Sequence, residues 1–153
     1  MKLVRADRGD FRFLLEAQDR FLFLAVLERY PLIPSAHQPV SRTSATGLFQ
    51  SEQQLLDEAL ADQRKQNRQR LNTLLQDPKR FHETENGWQL ILSPAEREWL
   101  LQILNDVRVG SWLKLGSPEE DFPELDTDSG LSPDALIMEM AGRFQMGLLE
   151  SPT

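Results

Sequence analysis

Few residues in this chain are of types and spacings that could do chemistry, and each group can be tested against what its chemistry demands. His82 stands beside Glu83 and Glu85, a base with two carboxylates close by. Successive side chains of a strand point to opposite faces, so His82 and Glu83 are expected to diverge. Asn105, Asp106 and Arg108 form a second group. Asn105 and Arg108 are three apart and share a helix face. Asp106 borders the Ile103/Val107 stripe, and a carboxylate there needs a partner, expected to be an arginine from another helix. We read these three residues as a structural polar clamp. A third group, Arg64, Lys65, Arg68 and Arg70, is a basic cluster and the candidate interaction surface.

Other chemistries fail on spacing. Glu124, Asp126, Asp128 and Gly130 alternate as in a calcium loop, but that loop needs glycine at its sixth position and glutamate at its twelfth. Counted from Glu124, those positions hold Ser129 and Ala135. There is no His-Glu-x-x-His pair, no Gly-x-Ser-x-Gly elbow and no glycine-rich phosphate loop. The chain lacks cysteine, which removes disulfides, iron–sulfur clusters and thiol nucleophiles. His37 has no partner nearby in sequence. No catalytic residue, metal or cofactor is predicted.

Charge narrows the partners. Net charge is −7 over 153 residues, with 40% hydrophobic content, enough for one core and one domain over 1–153. Residues 1–80 carry 13 basic and 10 acidic side chains, and residues 81–153 carry 4 and 14. The acidic extreme is Glu119, Glu120, Asp121, Glu124, Asp126 and Asp128, in a loop over 117–131. An acidic chain argues against a nucleic-acid partner, and the basic cluster lacks interleaved aromatics. The longest apolar run, Phe21 to Leu27, is far short of a bilayer span of about 20 residues. Acidic residues upstream of it argue against a signal peptide. A cytoplasmic protein is expected.

The elements that must position these groups are legible in outline. Asp7-Arg8-Gly9-Asp10 reads as the turn of a short hairpin. Three-four spacing from about Leu14 to Tyr30 predicts a buried helix, ended by Pro31 and Pro34. Residues 31–47 read as a long loop. Ser51 to Gln76 predicts a long helix whose middle, Asp62 to Arg70, has no apolar residue. Such a helix must project into solvent, pair with charged neighbours or break. Asn86-Gly87 predicts a second hairpin with a strand over 88–92. Ser93-Pro94-Ala95-Glu96 is a capping box opening a helix to Lys114, and Ser117 begins a similar motif. Ser132-Pro133-Asp134 opens a last helix through about Leu149. Gly110, Gly142 and Gly147 are expected to mark close approach of two helix backbones. The expected fold is mainly α, four helices in a small bundle with one or two short hairpins.

Trp99-Leu100-Leu101-Gln102-Ile103-Leu104-Asn105-Asp106-Val107-Arg108, followed by Lys114-Leu115-Gly116 and Glu119-Glu120-Asp121, resembles an uncharacterised bacterial family classed as a domain of unknown function. That family's hallmark is similar to Trp-Leu-x-x-Leu-Asn-Asp-x-Arg-Leu, then Leu-Gly and an acidic turn. The resemblance implies no activity. It implies a regulatory or adaptor role, because the family's genes often neighbour the one for the adaptor of the Clp protease.

A non-enzymatic cytoplasmic interaction module, tied to regulated proteolysis and taking a protein partner, is therefore the leading expectation. The alternatives are a transcriptional regulator using Arg64 to Arg70, and an enzyme using His82, Glu83 and Glu85.

Overall fold

The computed structural model describes residues 1–33, 47–116 and 132–150. Residues 34–46 of the expected 31–47 loop, the acidic loop over 117–131 with its calcium-like spacing, and the Ser117 motif lie outside the described residues. The element order is β1 (Lys2–Asp7), β2 (Asp10–Leu15), α1 (Ala17–Glu28), α2 (Gly47–Gln76), β3 (Phe81–Thr84), β4 (Gly87–Leu92), α3 (Pro94–Lys114) and α4 (Pro133–Leu149).

The two hairpins do not remain separate. They join through antiparallel β2–β4 pairing into one four-stranded sheet of order β1-β2-β4-β3. The fold is thus mixed α and β rather than a helical bundle with small hairpins. Alternation in β2 explains the join. Phe13 and Leu15 are buried, and they pair with Leu90 and Trp88 of β4. Leu14 and Leu15, expected at the start of the first helix, belong to this strand instead, and α1 begins at Ala17. The first hairpin turns on Arg8 and Gly9, both with positive φ, the twist that a two-residue turn between antiparallel strands requires. In the second hairpin the turn residues are Glu85 and Asn86, one position earlier than expected. Gly87 opens β4 opposite Thr84.

One face of the sheet carries the core. Phe13, Leu15, Leu90, Leu92 and Phe81 meet Phe23, Val26 and Leu27 of α1, Leu100, Ile103, Leu104 and Val107 of α3, and Phe144 and Leu148 of α4. Two guanidiniums cover aromatic rims of this face: Arg20 of α1 lies 4.0 Å from the Trp88 ring and Arg97 of α3 lies 4.5 Å from Phe11. The residues between them in each strand, including Arg12, Leu14, Gln89, Ile91 and His82, point the other way. Leu14 and Ile91 are not part of the core cluster.

α3 begins as expected. Ser93 Oγ accepts from the Glu96 amide at 3.2 Å, and a Glu96 carboxylate oxygen accepts from the Ser93 amide at 2.9 Å. The same oxygen accepts from Arg80, whose Nε also donates to the Ile91 carbonyl, so one carboxylate ties the helix start to the sheet. Partial burial raises the Glu96 pKa. The bonds from the Ser93 amide, the Arg80 guanidinium and the Ser93 hydroxyl outweigh that and hold it below the ordinary 4.5. A carboxyl depressed in the folded state stabilises fully above its unfolded pKa and loses that contribution as pH falls through the folded one. Glu96→Gln is expected to cost about 1–2 kcal/mol at neutral pH. It should also make the loss of melting temperature between about pH 6 and pH 3 shallower than in the parent. Parallel acid slopes would remove Glu96 from that role.

Candidate functional site

The basic cluster lies on α2, which is continuous through its polar middle. Thirty residues at about 1.5 Å each make a rod of roughly 45 Å. Its C-terminal half is held on the body: Leu71 and Leu74 are buried, and three polar residues upstream of them turn toward neighbours. Arg68 Nη1 donates to the Leu27 carbonyl at 2.7 Å, at the end of α1, where the same oxygen also accepts from the Tyr30 amide. The Arg70 guanidinium lies 4.4 Å from the centre of the Trp99 ring. Asn67 is the hub. Its Nδ2 donates to the Tyr30 hydroxyl at 2.9 Å, and its Oδ1 accepts from Trp99 Nε1 at 3.1 Å and from Gln63 at 3.2 Å.

Asn67 was not among the residues singled out from sequence. A lone amide in a polar run carries no signal; only the donors and acceptors brought to it by α1 and α3 give it a role. Arg68 and Arg70 also contact the body of the fold, and Arg64, Lys65 and Arg68 together line a groove of 430 Å³ whose walls include Pro31, Ala61 and Gln69.

The N-terminal half of α2 has a different character. Its polar side chains bond along the helix, Gln53 to Asp57 and Gln54 to Glu58. Leu55 is 65% exposed and Leu56 41%. On the helical repeat, Leu56 and Leu60 fall on the same side of α2 as Leu71 and Leu74, separated from them by the polar positions Arg64 and Asn67.

The clamp on α3 also differs from expectation. Among the described residues Asp106 has no arginine partner. Its Oδ1 accepts from the backbone amides of Leu32 at 2.7 Å and Ile33 at 3.3 Å. Asn105 and Arg108 bond each other at 2.9 Å on the exposed side, apart from that contact. Gly110 lies one turn on. A Cβ there would stand 2.7 Å from the Leu32 side chain, so this glycine accommodates the segment after α1 rather than a second helix. Gly147 similarly makes room for Met1, and only Gly142 faces another helix, at Arg108. Asp106 and Gly110 together fix the chain leaving α1.

His82, Glu83 and Glu85 do not converge. His82 lies on the face of β3 opposite to Glu83, and Glu85 is in the turn. Among the described residues no group of three histidine, aspartate or glutamate side chains is placed to hold a metal ion. No described helix is long and apolar enough to cross a membrane. Searches of protein-family models, of curated proteins and of solved structures give no match to this chain.

Proposed function

We propose that this protein is a non-enzymatic interaction module of the cytoplasm that presents the free half of α2 to a protein partner. The observation that carries this reading is an apolar patch. On the side of α2 that is buried at Leu74 and Leu71, and beyond the polar stretch that holds Arg64 and Asn67, Leu60 and the exposed Leu56 form an apolar patch, with Leu55 exposed beside it. A second helix laid along it would extend the existing core, a recurring mode of peptide and protein recognition. Arg64 and Lys65, next along the helix, supply the polar rim. A role in regulated proteolysis is the pathway we favour, and it rests on the resemblance of the 99–116 stretch.

Paired replacement of Leu55 and Leu56 by glutamate tests the reading. Both side chains face solvent, so stability should change by no more than about 0.5 kcal/mol. Pull-down from native lysate with a photo-crosslinker at position 52 should then lose the adduct seen with the parent helix. A crosslinked partner that survives both substitutions would show that this patch is not the docking element.

A further inference from the structure

The charges of α2 are sorted along its length in a way that the helix itself does not require. Glu52, Asp57, Glu58 and Asp62 all precede Arg64, Lys65, Arg68 and Arg70, and neither half contains an opposite charge. The helix dipole favours acid at the N-terminus and base at the C-terminus, but only within the first and last turns. The first turn of α2 holds no acidic residue and the last turn no basic one. Among the described residues none of these charged side chains is in an ion pair. The carboxylates of Asp57 and Glu58 accept only from the neutral Gln53 and Gln54.

One face of the helix is also balanced about its centre. Ala61, Arg64, Lys65 and Arg68 line the groove beside Pro31. Three-four spacing carries the same face N-terminally through Glu58 and Asp57 to Gln54. Counted outward from Ala61, Glu58 matches Arg64, Asp57 matches Lys65, and Gln54 matches Arg68.

We propose that a second copy of this chain occupies the groove, with the two α2 helices antiparallel about a two-fold axis near Ala61. The proposal rests on α2 being a docking element and names its partner. A two-fold interface uses the same patch twice, so the patch must complement itself. Antiparallel pairing meets that demand, because the acidic half of each helix runs along the basic half of the other. Parallel pairing would place like charges together. Ala61, small and exposed, sits where the helices approach most closely. Such an axis keeps the body-facing sides of both helices on one side of the pair. Leu56 and Leu60 of each free half are therefore turned toward the body of the other copy, where Pro31 forms the groove wall.

Sedimentation equilibrium of the full chain is the test. The parent should show a monomer–dimer equilibrium that weakens as salt is added. Asp57→Lys with Glu58→Lys should weaken it at least tenfold, and so should Arg64→Glu with Lys65→Glu. All four reversals in one chain should restore the dimer, and an equimolar mixture of the two double variants should form a heterodimer. The chain has no cysteine, so Ala61→Cys supplies a single thiol at the axis and should give a disulfide-linked dimer on mild oxidation. Asn72→Cys, far from the axis, should not. A parent that is monomeric at every concentration would overturn self-pairing; a foreign protein crosslinked from position 52 would then leave the docking reading standing, and loss of that adduct would remove it too. A dimer that survives either double reversal, or that the four reversals together do not restore, would overturn the antiparallel pairing.

Discussion

Phe144→Ala is expected to lower the unfolding free energy by about 3–5 kcal/mol, the range for removing a buried aromatic ring and leaving its cavity. Phe144 is 2% exposed and meets Phe23 edge to face, with centroids 5.1 Å apart and planes at 77°. The pair joins α1 to α4, and α4 holds the N-terminal strand: Gly147 packs against Met1, and Glu150 accepts from the Leu3 amide at 3.2 Å. The ring therefore lies under a contact between the two ends of the chain. Thermal unfolding followed by circular dichroism should show a melting temperature lower by roughly 10 °C or more. Met146→Ala on the exposed side of α4 is the comparison, with a change within about 0.5 kcal/mol. Equal effects of the two substitutions would mean that α4 does not close the core through Phe144.

Gly87→Ala is expected to cost about 3 kcal/mol, for two separable reasons. Gly87 has φ +134°, a region that side chains rarely adopt, and a Cβ there would stand 2.6 Å from the Leu15 carbonyl oxygen. The second term is backbone against backbone, so no rotamer change relieves it. Gly9→Ala isolates the first term: Gly9 also has positive φ, but open space surrounds its Cβ position, and its cost should be nearer 1 kcal/mol. Chemical denaturation of both variants measures the difference. If Gly87→Ala were no worse than Gly9→Ala, the close approach of β4 to β2 would be disproved.

Much of the local structure was determined by sequence. Ser93-Pro94-Ala95-Glu96 specifies a helix start because each group satisfies an orphan donor within four residues, and Ser132-Pro133 does the same for α4. Both hairpins and all four helices were legible, because turn chemistry and apolar spacing act over a few residues. The polar middle of α2 was legible as a problem with three solutions.

Tertiary structure decided the rest. That β2 pairs with β4 was not legible, because alternation along Phe11, Phe13 and Leu15 specifies a buried face but not which strand lies beside it. Their pairing spans most of the chain, Phe11 with Leu92. The helix period likewise overran into Leu14 and Leu15, since a strand with two large apolar residues per turn of the pleat can mimic it over a short window. Asp106 showed that it needed donors, but backbone amides far away in sequence have no side-chain signature, so an arginine was the natural expectation and the amides of Leu32 and Ile33 are the answer. Arg68 and Arg70 look like any surface cations until α1 presents the Leu27 carbonyl and α3 an indole ring.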